Sequence, residues 1–345
     1  MRVFLIFLAL SAIAGAVWSA EGQTVSTTPV PDTKAPGITD WLRDARYGLF
    51  THFLPGPDPV VSGKLMEDFD VEALADQVKE SGASYLVFTL HQNSGWINSP
   101  NATYDRITGY APGERTSKRD LPADLAKALA KRGLRLLLYV PCQVPNEDRK
   151  AQQAFGLEAK RGDRRIDPVF AVKWAQVIEE WSKRYGTSVS GWWFDGGYSN
   201  IGFTPEIGAI LAKGAKAGNP ASIVAFNPGI MVKRHCAADD YTAGELNEPF
   251  TYLPTERFLD GAQWHALTYL GSNWGHRDVR YTPEKWITWM KQVIANGGAV
   301  TLDVGPTYDA KDSPIGTLSE TQMKQLKAIR AAIAPVAPTV PASKQ

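Results

Sequence analysis

Short apolar runs alternate with longer amphipathic stretches along most of the chain. Residues 47–53 (YGLFTHF), 84–91 (SYLVFTLH), 134–140 (LRLLLYV), 188–195 (SVSGWWFD), 222–227 (SIVAFN) and 299–304 (AVTLDV) are apolar at successive positions. Such runs read as strands buried on both faces, and residues 266–272 (ALTYLGS) offer a seventh. The stretches between them have helical period. In residues 167–186, Asp167 suits an N-cap and Pro168 the first turn, while Phe170, Trp174, Val177, Ile178, Trp181 and Tyr185 line one face before Gly186 ends the helix. Asp120 reads as the cap of another helix. Residues 319–322 (SETQ) form a capping-box pattern ahead of Met323, Leu326, Ile329 and Ile333. By the same periodicity Trp286 and Trp289 belong to a core.

Strand followed by helix, repeated, with strands apolar on both faces, predicts a parallel α/β sheet. No GxGxxG follows any strand and no GxxxxGKS occurs, which favours a (β/α)8-like, TIM-type barrel over a doubly wound sheet. Six clear strands and a seventh leave one barrel position unassigned.

The ends of the chain have a different character. Residues 1–20 carry Arg2, an apolar run from Val3 to Val17 and small residues at Ser19 and Ala20, the pattern of a cleaved signal peptide. Residues 21–36 read as a flexible Thr/Pro-rich linker, 37–335 as one domain, and 336–345 as a disordered tail. The expected location is secreted or periplasmic, with no membrane attachment after signal cleavage.

Composition narrows the class. With 345 residues, 44% of them hydrophobic, the chain can bury one large core. Thirty-seven basic and thirty-six acidic residues leave a net charge of +1 without a basic run, so nucleic acid is not an expected partner. Cys142 and Cys236 are too few for a disulfide framework. His235, Cys236 and Asp239 match no ligand spacing, and neither a metal nor another cofactor is expected. Asn101, in NAT, fits the N-glycosylation pattern.

In a parallel barrel the active site forms at the C-terminal ends of the strands. There the sequence places His52, then His91 and Gln92, then Asp195, then Asn227, with Trp96, Trp193, Tyr198 and Trp274 in or near the same loops. Trp192 and Trp193 are adjacent on a strand and must face opposite ways, so one alone can point inward. Aromatic rings beside a carboxylate suit a sugar, whose apolar face stacks while its hydroxyls bond to polar groups. Glycoside hydrolysis needs a second carboxyl group. Residues 238–250 (ADDYTAGELNEPF), read as a long loop after the fifth strand, offer Asp239, Asp240, Glu245 and Glu248.

These motifs resemble the α-L-fucosidases of glycoside hydrolase family 29, from about Trp41 to about Ile329. WLRDARYGLFTHF is similar to that family's Trp...Arg-Phe-Gly-Leu-Phe-Ile-His-Trp, GWWFDGG to its nucleophile strand, and VIANGGAVTLDVGPTYDAKDSPIG to its Gly-Gly-Asn-Leu-Leu-Leu-Asn-Val-Gly-Pro segment. The resemblance implies a retaining exo-glycosidase that removes a terminal sugar, α-L-fucose first, from an oligo- or polysaccharide through a covalent intermediate. It puts Asp195 on the nucleophile and His52 on a sugar-binding histidine. Glu245 falls nearest the acid/base, with Glu248 and Asp240 as alternatives. His91, Gln92, Trp96, Trp193, Tyr198 and Trp274 complete the expected sugar site. The chain departs from the family where LHQNSGW replaces Lys-His-His-Asp-Gly-Phe, where FNPG replaces Asn-Asp-Arg, and in lacking the usual C-terminal β-sandwich. Those departures bear on the sugar more than on the fold. They keep open a same-clan glycosidase of different specificity and a non-catalytic carbohydrate-binding barrel.

Overall fold

The computed structural model describes residues 37–157 and 165–333. The signal-peptide, linker and tail assignments lie outside those residues.

Seven parallel strands form one curled sheet: β1 (Tyr47–Thr51), β2 (Tyr85–Thr89), β3 (Arg135–Pro141), β4 (Val189–Asp195), β5 (Ile223–Phe226), β6 (His265–Tyr269) and β7 (Ala299–Val304). Their order is β5-β4-β3-β2-β1-β7-β6. Helices lie on the outside, with Val71–Ser81, Leu121–Ala130, Pro168–Tyr185, Pro205–Lys216 and Pro283–Ala295 each between two strands and Glu320–Ile333 after the last. Among the described residues, no helix is long and apolar enough to cross a membrane.

The eighth position is filled without a regular strand. The segment 240–246 runs between the two edge strands: Asp240 N–H donates to Val224 O of β5, while Leu267 N–H of β6 donates to Gly244 O and Leu246 N–H donates to Leu267 O. The expected long loop is therefore, in its first half, an irregular strand that closes the wall. Helical periodicity and strand alternation are both missing here, so the sequence pattern gave no sign of it.

Side chains alternate between two cores. Phe50, Tyr85, Val87, Leu137, Tyr139, Trp193 and Leu267 fill the barrel interior with Tyr241 and Ala243 of the irregular segment. Their neighbours Leu49, Leu86, Phe88, Leu138, Trp192 and Phe194 face the helices, as the two-residue period of a strand requires. Trp192 and Trp193 part as expected, and Trp174, Trp181, Trp286 and Trp289 are all buried in the outer layer. The Tyr85 ring reaches across the barrel floor because Gly48 has no side chain; a Cβ there would lie 2.2 Å from the ring. Buried polar groups are linked across the same floor. His265 binds Thr242 O through Nδ1 (2.9 Å) and the Thr301 hydroxyl through Nε2 (2.7 Å), tying the irregular segment to β6 and β7.

Local signals behave with two exceptions. Asp167 accepts from Phe170 N and Asp120 from Ala123 N, capping their helices as expected. Ser319 accepts from Gln322 N, but the Gln322 side chain does not complete the box. It donates to His276 O and Asp278 O and accepts from Gly305 N, sewing the last helix to the loops after β6 and β7. Asn101 is fully buried, accepts from Tyr104 N as a helix cap and donates to Val177 O, so it offers no acceptor site for a glycan.

Candidate active site

The C-terminal ends of the strands surround a cavity of about 230 Å3 lined by Phe50, His52, Leu54, Gln92, Tyr139, Trp193, Asp195, Tyr198, Glu245, Leu267 and Trp274. This is below the roughly 300–1,000 Å3 of pockets for drug-sized ligands and suits one sugar ring.

Asp195 is the last residue of β4, and the register that carries Trp193 into the barrel carries its side chain into the mouth. Four donors converge on the carboxylate. Gly196 N–H (2.7 Å), Asn227 Nδ2 (3.0 Å) and the Tyr198 hydroxyl (3.4 Å) donate to Oδ1, and the Tyr139 hydroxyl donates to Oδ2 (2.5 Å). Burial, then the Asp195 charge, pushes the Tyr139 hydroxyl well above the ordinary tyrosine value, so it stays a donor. Gln92 Nε2 donates to the same Tyr139 oxygen (3.0 Å), extending the network to the loop after β2.

Glu245 arrives from the irregular segment, paired with Leu267 of β6. Gly244 makes that approach feasible. Its φ is +64°, and a Cβ would lie 2.0 Å from His265 O. Asn227 Nδ2 donates to Glu245 Oε2 as well as to Asp195. Two oxygens bound to one nitrogen can be no more than two hydrogen-bond lengths, about 6 Å, apart. Burial raises the Glu245 carboxyl above its usual value, the Asn227 hydrogen bond works the other way, and the Asp195 charge adds to the rise.

The opposite wall is a second fixed unit. His52 Nδ1 lies 2.7 Å from Asp303 Oδ1, and Asp303 is 1% exposed at the inward face of β7. Asp303 Oδ2 accepts from Gly275 N–H (2.5 Å), which anchors the loop carrying Trp274. The Trp274 ring stands edge-on to His52 at 5.8 Å and tilted against Tyr269 at 4.8 Å. One buried carboxylate thus orients both the histidine and the aromatic platform.

Of the residues expected at the site, Asp195, Glu245, His52, Gln92, Trp193, Tyr198 and Trp274 meet at the cavity. His91 and Trp96 do not. His91 is 0% exposed and packs edge-on against Trp174 in the outer layer, and Trp96 is 3% exposed in the same core. Both lie on the helix side of the chain, so the part of LHQNSGW that lines this cavity is Gln92. The alternative acids are elsewhere: Asp240 pairs with Lys216 and caps Val224 N, and Glu248 is exposed beside Arg280 and Tyr281. Asp239 accepts from three backbone N–H groups, of Phe226, His235 and Cys236. Among the described residues no metal-binding cluster occurs, and Cys142 and Cys236 are free and buried.

Two site residues, Tyr139 and Asp303, escape the sequence pattern, and Asn227, placed at the mouth by its strand end, gave no sign that it would bond two carboxylates. Tyr139 stands in an apolar run with no polar neighbour. Asp303 gave a usable signal, a lone acid inside the strand AVTLDV, because a charge on a fully buried strand needs a partner.

Parallel strands, helices outside and two carboxyl groups facing one cavity at the strand ends define a barrel of the glycoside hydrolase type. A family model described as alpha-L-fucosidase matches residues 65–331, and the chain belongs to that family. Among solved structures, an endo-fucoidan hydrolase of glycoside hydrolase family 107 aligns with a TM-score of 0.64 at 17% identity, covering 85% of this chain and 53% of that one. Alpha-L-fucosidase isoenzyme 1 from Paenibacillus thiaminolyticus aligns at 0.62 and 21% identity, over 85% of this chain and 74% of that one. An α-L-fucosidase from Lactobacillus casei in complex with α-L-fucose aligns at 0.62 and 16% identity, over 85% and 97%. At these identities the likeness concerns the fold. The chain spans about half the length of the fucoidan hydrolase. No curated protein sequence matches it.

Proposed function

We propose that the protein is a retaining glycoside hydrolase that removes a terminal α-L-fucosyl residue from a glycan. The observation that carries this reading is the single Asn227 nitrogen bound to both Asp195 and Glu245. It keeps one oxygen of each carboxyl group within about 6 Å of the other, which favours the roughly 5–5.5 Å separation of retaining enzymes over the 6.5–9.5 Å that inverting enzymes need for an intervening water. The choice of sugar rests on the family and on a cavity sized for one ring.

Asp195, ionised and ringed by donors, attacks the anomeric carbon as the bond to the leaving oxygen breaks. Glu245, its carboxyl raised by burial, gives its proton to that oxygen. In the second step Glu245 takes a proton from water, and the hydroxide formed displaces Asp195 from the sugar. His52, held by Asp303, and Trp274 bind the sugar from the facing wall. The apolar run near the N-terminus supports export to the periplasm or the medium.

The reaction is tested by following hydrolysis of an aryl α-L-fucoside by NMR. The α-anomer of the sugar should appear first and mutarotate later. Initial release of the β-anomer would rule out the retaining mechanism, and absence of turnover on a panel of aryl glycosides would favour a carbohydrate-binding barrel.

A further inference from the structure

We propose that Arg280 is a positioning residue for this reaction, holding the chain that carries Glu245 and backing the ring of Trp274 from outside the cavity. The proposal rests on the glycosidase reading above, which gives Glu245 and Trp274 their roles. It adds a residue that lies beyond the cavity lining.

The role follows from how Glu245 is held. Its segment is bound to β6 by backbone hydrogen bonds on either side of it: Leu267 N–H donates to Gly244 O (2.8 Å) and Leu246 N–H donates to Leu267 O (2.8 Å). Beyond Leu246 a side chain takes over. Arg280 Nη1 donates to Asn247 O (2.6 Å), Nη2 to Thr268 Oγ1 (2.9 Å) and Nε to Tyr269 O (3.0 Å). One planar guanidinium thus extends the ladder from the residue after Leu246 to the last two residues of β6. That takes several directed N–H groups at fixed angles, which a lysine ammonium does not supply. The Arg280 side chain is 9% exposed, so water competes little for these bonds, and Glu248 Oε1 at 3.4 Å gives it a counter-charge.

The same cation reaches the opposite wall. Its guanidinium carbon stands 3.7 Å from the centroid of the Tyr269 ring, and that ring packs on Trp274 at 4.8 Å. Arg280 N–H also donates to Leu270 O (3.1 Å), closing the base of the loop whose Gly275 is fixed by Asp303. Asp195 has its own donors, Gly196, Asn227, Tyr198 and Tyr139. Loss of Arg280 therefore disturbs the acid/base and the platform while leaving the nucleophile's bonds in place, and this difference is measurable.

The test uses two aryl α-L-fucosides, one with a phenol that leaves unaided and one with a phenol that needs a proton, and reads the ratio of their kcat/KM values. Loss of folded protein or of the platform lowers both values and cancels in the ratio. A displaced Glu245 lowers only the value that depends on its proton. Arg280→Met, which keeps the apolar stem, should reduce the proton-requiring kcat/KM relative to the other by roughly a hundredfold, the cost of misplacing a catalytic group by about 1 Å. Arg280→Lys should reduce it less, and it carries the test if the methionine variant does not fold. An unchanged ratio in a folded variant would overturn the proposal. Hydrogen exchange gives a readout independent of turnover. The Leu246 and Leu267 amides should exchange about tenfold faster or more, the effect of losing one hydrogen bond to a charged group, while the amides joining β2 to β3 keep their rates. Equal acceleration throughout, or none at Leu246, would equally overturn it. Should the wild type hydrolyse neither fucoside, the glycosidase reading fails on that result, and exchange still decides whether Arg280 holds the segment of Glu245.

Discussion

Asp195 and Glu245 accept hydrogen bonds from the same amide nitrogen, Nδ2 of Asn227. The amide favours the ionised form of Glu245 while burial opposes it. In Asn227→Ala the carboxyl should therefore rise further. A general acid works while protonated, so the descending limb of the kcat/KM profile should move to higher pH. Loss of a hydrogen bond to a charged group, about 1.5–3 kcal/mol, should also cut kcat by roughly ten- to a hundredfold. A pH–rate profile with an unmoved descending limb would show that Asn227 does not act on Glu245.

The two carboxyl groups should separate by their response to an added nucleophile. Asp195→Asn should fold normally and lose about 10⁴-fold or more in kcat on every substrate, as removal of a covalent nucleophile does. Glu245→Ala should keep activity on aryl glycosides with good leaving groups, because those need no proton. Azide should then accelerate it and yield the glycosyl azide with retained configuration. Product analysis by NMR distinguishes the two.

Gly48→Ala should destabilise the barrel by about 1–3 kcal/mol, the usual penalty of overpacking, since the new methyl meets the Tyr85 ring at 2.2 Å. A second substitution, Tyr85→Val, should recover part of that loss in the Gly48→Ala background. Urea denaturation of the four proteins of this cycle measures the coupling. Additive effects would mean that the contact is not the cause.

Acid should destabilise the protein through its buried histidines. Burial lowers His91 and His265 to about 4, so both are neutral in the fold. An unfolded chain protonates them from about pH 6.5 downward. Their contribution is complete above that value and is lost as pH falls towards 4. Asp105 and Asp239, which burial lifts to about 6, act in the opposite sense. Comparing the wild type with His91→Phe isolates the histidine: His91 has no partner for Nε2 and packs on Trp174, so phenylalanine fits its surroundings. The urea midpoint of the variant should fall less between pH 6.5 and 4. Identical slopes would rule out His91 as the sensor.

Much of the architecture was legible because it depends on local periodicity. Apolar strands and amphipathic helices alternate, and Asp120, Asp167 and Gly186 mark helix ends where the structure has them. The order of strands put Asp195 and His52 at the barrel mouth before any coordinate did. The same reasoning misplaced His91 and Trp96, because a residue at a strand end can turn to either face and the loop that follows decides which. It also missed the irregular segment, whose pairing comes from two strands far away in sequence.

The sequence by itself determined the strands, the helices, the barrel class and the family likeness, since each depends on neighbours along the chain. Only the tertiary structure decided that Glu245, rather than Glu248 or Asp240, shares a cavity with Asp195. That depends on Gly244 passing against His265 and on Asn227 reaching two carboxylates from another strand. It likewise brought Asp303 to His52 across 251 residues. Such contacts follow from the closure of the sheet, which no local pattern encodes.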